Sequence, residues 1–143
     1  MSLGYLDCLR KGKIRPFSRG KSLAVKELES AKSDLRRAEA TRREGDYKWA
    51  TIQLYYSMFH AARALIYSRN LREQSHHCLI EAVRALFAEK GLLPVSLLEG
   101  FKEAKNLRED ADYYGRWTRS GCERLSKTAR RFLEHAQRLM ADE

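Results

Sequence analysis

Arg108, Asp112 and Tyr113 are the residues whose types and spacing point most directly to chemistry. Arg108 falls on an apolar stripe with Phe101 and Ala104, where a charge is costly unless it is paired or in contact with water. An arginine there can form an ion pair with Asp112, one helical turn later, or hold a phosphate with its forked donors. Tyr113 offers a ring for stacking and a hydroxyl, but a phenol with a pKa of about 10 is not a base at pH 7. The three residues therefore indicate an anion-binding groove, which is compatible with both roles of Arg108.

Two histidines are further candidates for ligand contact. His60 shares one helix face with Gln53 and Ser57 in an otherwise apolar segment, so it is either a core histidine with satisfied ring nitrogens or a ligand-facing group. His76 directly follows Ser75, a good N-cap, which favours either a structural role or anion binding at a helix N-terminus. We therefore keep both histidines as candidate ligand-binding residues.

Two other arginine and histidine pairs have a similar spacing in a less favourable position. Arg72 and His77 straddle a predicted turn, and Arg131 and His135 lie one helical turn apart, where such pairs are most often solvated. The sequence contains no glycine-rich phosphate loop, no HExxH and no serine, histidine and aspartate pattern. We therefore expect neither a metal ion nor a cofactor.

The three cysteines predict no cross-link. Cys8, Cys78 and Cys122 are odd in number and far apart, which argues against a disulfide framework and against a structural zinc site. Cys78 lies in a helical apolar pattern, so we expect it to be a small core residue.

The charge of the chain narrows its partners to polyanions or acidic protein surfaces. Over 143 residues, 28 lysines and arginines face 19 acidic residues, a formal net charge of +9. The excess is concentrated before Lys21 and again between Arg116 and Arg131, where it serves either nucleic-acid contact or solubility. No apolar run approaches the roughly 20 residues of a membrane span, and no secretory signal is visible, so we expect a cytoplasmic protein without membrane contact.

The segment from Trp49 to Arg69 is apolar almost all round, so other helices must cover it. We predict a single bundle, residues 18–143, preceded by an N-terminal extension or short helix, residues 1–17, in which Leu3, Leu6 and Leu9 face the bundle. Nothing in the sequence alternates with period two over a useful length, so we expect no sheet.

Five main helices are predicted. The first runs from Lys21 to Arg43, the second is capped by Asp46, and the third is capped by Ser75 and closed by Gly91 and Pro94. Capping boxes open the last two, at Ser96 and Glu99 for the fourth and at Ser120 and Glu123 for the fifth.

The region from Gly45 to Ile80 also carries a family resemblance. It contains YYSMFHAARAL, a short basic turn, and then Ser75 and His76 before a hydrophobic pair. This order resembles the signature of HEPN domains, the small helical domains named for higher eukaryotes and prokaryotes nucleotide-binding. The resemblance implies an all-α fold, a HEPN-like bundle of four to five helices.

Many HEPN domains are metal-independent ribonucleases in which an arginine is followed after four to six residues by a histidine, in both subunits of a dimer. Imidazole, with a pKa of about 6.5, can shuttle a proton near neutrality while the arginine holds the phosphate. Here Tyr113 stands where the histidine would be at the shortest spacing after Arg108, which leaves enzymatic activity open. The pattern of an arginine followed by Ala-Asp-Tyr is similar to that of a subgroup of HEPN proteins that are uncharacterised or paired with minimal nucleotidyltransferases.

The resemblance therefore implies a nucleotide- or RNA-binding interaction protein. We expect a homodimer whose partner is a minimal nucleotidyltransferase, in a toxin-antitoxin arrangement. Two alternatives remain: a ribonuclease that works with Tyr113 or a displaced histidine, and a purely structural bundle that docks an acidic protein.

Overall fold

The computed structural model, which describes residues 2–142, is a helical bundle with a small sheet at one side. Its elements in chain order are α1 (Leu3–Arg10), β1 (Ile14–Pro16), α2 (Gly20–Arg43), α3 (Tyr47–Tyr67), β2 (Leu71–Glu73), α4 (His76–Val83, continued by a π-helical segment, Arg84–Ala88), α5 (Val95–Tyr113) and α6 (Arg119–Ala141). The predicted all-α class is confirmed. Within residues 2–142, no helix combines the length and the hydropathy needed to cross a bilayer.

Helix α3 is the centre of the bundle. It packs against α2, α4, α5 and α6, and side chains from Leu54, Met58 and Leu65 are at most 1% exposed. The prediction that burial starts at Trp49 is wrong, because that ring is 48% exposed. Ala50 is the first buried residue of α3, although Tyr47 packs against the core with part of its side chain.

Two of the four predicted caps are confirmed. The Asp46 carboxylate accepts a hydrogen bond of 3.2 Å from the Trp49 amide at the start of α3. The Ser75 hydroxyl accepts one of 3.1 Å from the Cys78 amide at the start of α4. Each satisfies a backbone donor that the first turn leaves free.

The other two predicted caps, the capping boxes, are wrong. Helix α5 begins at Val95, directly after Pro94 and without a side-chain cap, so Ser96 already lies inside the first turn. Helix α6 is capped by Thr118, whose hydroxyl accepts a hydrogen bond of 2.9 Å from the Gly121 amide. The Ser-x-x-Glu pattern therefore occurs one or two residues inside each helix, where the serine side chain no longer faces the free amides.

A two-stranded sheet contradicts the prediction that the chain contains none. Strands β1 and β2 pair antiparallel, with Ile14 opposite Glu73 and Pro16 opposite Leu71. Each strand has three residues, too few for an alternating pattern to be visible in the sequence. The sheet ties the segment before α2 to the turn after α3.

The predicted leading helix exists as α1, but it packs through a different face. Leu3, Leu6 and Leu9 are 85%, 46% and 38% exposed, whereas Tyr5 and Cys8 are buried. The leucine spacing is thus not the buried stripe. Helix α1 lies against α4 through the opposite side.

A disulfide between Cys8 and Cys78 overturns the prediction that these cysteines are unpaired. Their Cα atoms are 5.8 Å apart although 70 residues separate them in sequence. The packing of α1 on α4 brings the two together, which no sequence spacing could indicate. Cys122 is buried with a free thiol.

Reduction of this disulfide is expected to destabilise the protein. A cross-link that closes a loop of this length lowers the entropy of the unfolded chain, a stabilisation of about 4 kcal/mol in the loop-entropy description. Urea unfolding with and without a phosphine reductant measures the difference. The double variant Cys8→Ala/Cys78→Ala should be insensitive to the reductant, and equal midpoints for the parent protein in both conditions would contradict the expectation.

Candidate functional site

Arg108 lies in a cluster of aromatic rings at the contact between α3 and α5. Its Nη2 donates a hydrogen bond of 2.9 Å to the Tyr56 hydroxyl, and the guanidinium carbon lies 5.6, 5.4 and 5.0 Å from the ring centroids of Tyr55, Tyr56 and Tyr113. The side chain is 19% exposed. Three tyrosine faces therefore offset part of the cost of desolvating this cation.

Asp112 supplies the carboxylate of the cluster. Its Oδ2 is 3.2 Å from Arg108 Nη2, one turn along α5, so the predicted ion pair is present. Tyr113, the last residue of α5, is 63% exposed and projects its ring over the same guanidinium. The helix thus brings together all three residues that the sequence singles out for anion binding, and it shows the ion pair, one of the two roles predicted for Arg108.

His76 joins this cluster from the N-terminus of α4. Its Nδ1 shares a hydrogen bond of 2.9 Å with the Tyr55 hydroxyl, and its ring lies 5.2 Å from that of Phe101. Burial, together with the nearby positive charges of Lys105 and Arg108, lowers the pKa of His76 to about 4, although Glu109 acts in the opposite direction. The imidazole is therefore neutral at physiological pH.

The hydroxyl that contacts His76 is also held in its neutral form. Burial raises the pKa of Tyr55 to about 12, despite the opposing charge of Arg108. The two side chains thus form a neutral pair beneath the guanidinium, and His76 Nε2 is buried without a hydrogen-bond partner. This arrangement can orient Arg108 and the rings around it, but it offers no group that exchanges a proton near pH 7.

A groove of about 420 Å³ opens beside His76. Its walls carry Lys102 and Lys105 of α5 together with the exposed His77. Lys105 Nζ is 2.6 Å from Glu109 Oε1, so part of its charge is already compensated. The groove places basic side chains next to the N-terminus of α4, a combination that favours anions.

His60 lies apart from the Arg108 cluster. Its Nδ1 is 2.6 Å from Glu27 Oε2, and its Nε2 is 3.7 Å from Asp34 Oδ2, both on α2. Ser57, on the same face, donates to the Ala31 carbonyl at 2.8 Å. The polar stripe of α3 therefore faces α2, and it connects two helices instead of lining the groove.

The two alternative pairs do not form sites. Arg72 lies in β2 with its guanidinium over the Phe17 ring, at 5.1 Å from the centroid, whereas His77 lines the groove beside α5. His135 Nδ1 bonds the Arg131 carbonyl at 2.9 Å on an exposed face. Among residues 2–142, no group of three or more histidine, cysteine or acidic side chains could hold a metal ion.

Sequence reasoning missed Tyr55 and Tyr56 as site residues. Both belong to the apolar circumference of α3, and their neighbourhood predicts core packing. One signal was available, because two consecutive tyrosines on a helix cannot both point into a single core. The structure buries the Tyr55 ring and leaves that of Tyr56 37% exposed.

Comparisons with known proteins agree with this architecture. The family model of the HEPN domain matches residues 24–139 of this sequence. Over 86 residues, 60% of this chain, the sequence is 31% identical to "Putative toxin MJ0142" and 29% identical to "Putative toxin MJ0605", both of Methanocaldococcus jannaschii. These matches cover 58% and 64% of the two relatives, so the chain spans less than two thirds of either. A third relative, "UPF0332 protein glr0978" of Gloeobacter violaceus, is 28% identical over 80% of this chain and 93% of its own length.

Acidification should destabilise the fold through His76. The unfolded chain takes up a proton at its ordinary pKa of 6.5, whereas the folded imidazole does so only near 4. Below pH 6.5 the unfolded state therefore binds more protons, and stability falls as the pH drops toward 4, by no more than about 3 kcal/mol.

The measurement is urea unfolding across this pH range for the parent protein and for His76→Asn, whose amide can still bond Tyr55 but does not titrate. The variant should lose less stability than the parent on acidification. His135→Asn, which removes a half-buried histidine of α6, is the matched control and should follow the parent. Parallel pH profiles for the parent and His76→Asn would contradict the assignment.

Proposed function

The chain belongs to the HEPN domain family, and on that premise we propose that it is a nucleotide- or RNA-binding interaction protein whose site is centred on Arg108 and Tyr113. The observation that carries the proposal is the guanidinium of Arg108, held among three tyrosine rings with Asp112 as its ion-pair partner. A phosphate can reach such a cation, since Tyr113 is mostly exposed. The tyrosine ring beside it can stack on a base.

The chemistry of the same cluster argues against fast RNA cleavage. RNA cleavage by attack of the 2′-hydroxyl needs a side chain that accepts a proton near neutral pH. Tyr113 occupies the position of the histidine in the family motif, so the imidazole that would move the proton is missing at that position. The alternative ribonuclease hypothesis allows a displaced histidine, and His76 is the histidine that joins the Arg108 cluster. Its pKa of about 4 and its buried Nε2 make it a poor proton shuttle.

We further propose that the protein works in a two-component, toxin-antitoxin-like pair with a minimal nucleotidyltransferase. Support comes from the two relatives named as toxins and from the motif Arg108, Ala111, Asp112 and Tyr113, which is similar to that of HEPN proteins with such partners. The purely structural alternative, docking of an acidic protein, differs in its salt response. Counterion release predicts a steep loss of affinity with salt for RNA.

Arg108→Ala should weaken binding of a single-stranded RNA by about tenfold or more, because it removes the charge-assisted contact to phosphate. Tyr113→Phe should bind nearly as well as the parent, since the ring remains. Fluorescence anisotropy with a labelled oligonucleotide measures both, with thermal unfolding as the check on folding.

The same proteins, incubated with RNA without metal ions, test the ribonuclease alternative. We expect slow cleavage or none by the parent protein. Robust turnover that is lost in both Arg108→Ala and Tyr113→Phe would make the protein an enzyme and overturn the preferred function. Tyr113→His restores the spacing of the family motif and is expected to create or raise cleavage.

The protein should form a homodimer. The motivation is that the central helix carries more aromatic rings than one core needs, Tyr56 among them at 37% exposed, and the family's habit of building its groove between two subunits. Light scattering should give twice the chain mass of 16.6 kDa. A monomer at all concentrations would remove the shared groove.

A further inference from the structure

A second aromatic surface lies at the end of the bundle where α5 gives way to α6. It consists of three exposed rings, those of Trp49 at the start of α3 and of Tyr114 and Trp117 in the α5–α6 connection. They are 48%, 65% and 47% exposed. We call these three residues the aromatic shelf. Large exposed rings grouped in one place indicate a binding surface.

Cations lie over every ring of the aromatic shelf. Lys48 Nζ is 5.3 Å from the ring centroid of Trp49 and 5.8 Å from that of Trp117, so a single ammonium joins rings from two elements. The Arg116 guanidinium is 5.3 Å from the Tyr114 centroid. A third cation, Arg119, lies beside the shelf over Tyr47, at 5.8 Å.

These three cations are not neutralised. Within the described part of the chain, no carboxylate lies within 4 Å of Lys48, Arg116 or Arg119. Other basic residues, such as Arg42 and Arg124, are engaged in ion pairs. The shelf thus combines stacking faces with available positive charge.

A groove beside Trp117 gives the surface depth. Its volume is about 670 Å³, and Leu107, Gly115 and Arg116 form part of its walls. Arg116 and the carboxylate Asp110 both line it, and Lys48 adds a second positive charge over the Trp117 ring. The positive charge at this surface favours a polyanionic ligand.

The shelf begins at the residue that follows the Arg108 cluster in the chain. Tyr114 directly follows Tyr113, whose ring lies over the Arg108 guanidinium. Trp117 is three residues further on, within roughly 11 Å of fully extended chain. A single strand held by its phosphate at Arg108 can therefore reach the shelf.

We propose that the aromatic shelf binds single-stranded RNA by base stacking and extends the Arg108 site along the α5–α6 connection. This proposal rests on the proposed function, since it assigns the path of the RNA beyond Arg108. Single-stranded RNA is the occupant that fits, because its bases are free to stack and its phosphates meet the cations of Lys48 and Arg116. Stacking tolerates any base, so the shelf adds affinity without sequence preference.

The two tryptophans of this chain both belong to the shelf, so intrinsic fluorescence reports directly on its occupancy. The experiment titrates a ten-nucleotide oligouridylate into the full-length protein and follows tryptophan emission and the anisotropy of the labelled RNA. Trp117→Ala and Lys48→Ala should each raise Kd at least about fivefold. Lys90→Ala, which removes one exposed charge far from the shelf in sequence, is the matched control and should change Kd less than twofold.

Quenching of tryptophan emission by the RNA, with weaker binding by both shelf variants, supports the proposal. If binding depends on Arg108 while tryptophan emission and the Kd of the shelf variants are unchanged, the shelf proposal is wrong and the proposed function stands. Failure of the parent protein to bind the RNA overturns both. If Trp117→Ala instead halves the mass in light scattering while RNA affinity is unchanged, the surface is an interface between copies of the chain and the proposal is wrong.

Discussion

Burial of α3 on nearly all sides is the constraint from which the rest of the structure follows. A helix with so few polar positions is stable in water only when other helices cover it, and α2, α4, α5 and α6 do so. Its polar side chains must then find partners inside the bundle. Ser57 bonds the Ala31 carbonyl of α2, and His60 pairs with Glu27 and Asp34. The polar stripe that first suggests a ligand site is thus used for packing.

The candidate site lies where α3 and α5 meet, at the margin of the buried core. Arg108 belongs to the apolar stripe of α5, yet it lies where α3 presents Tyr55 and Tyr56 instead of aliphatic side chains. The rings and Asp112 compensate the partly desolvated charge, and 19% of the Arg108 side chain is exposed. Under the proposed function, an anion binds on that exposed side. The same dry environment keeps His76 and Tyr55 neutral. Physically, the site is suited to holding negative charge and poorly suited to moving protons.

The connection between α5 and α6 carries further aromatic side chains that are exposed. Helix α5 ends at Tyr113, and the connection after it leaves Tyr114 and Trp117 65% and 47% exposed. Rings that would be buried in a larger core instead carry cations above their faces. A chain with a net charge of +9 thereby concentrates aromatic surface and unpaired charge at one end of the bundle.

The helical class and the caps Asp46 and Ser75 could be predicted from the sequence, because they depend on local periodicity and on side chains that bond their own first turn. The sequence also placed Arg108, Asp112 and Tyr113 together, since they share one helix. Tertiary structure alone decided the rest. The Cys8–Cys78 disulfide, the pairing of β1 with β2 and the contact of His76 with Tyr55 all join residues more than 20 positions apart. No local pattern encodes such contacts, because they depend on how complete helices pack.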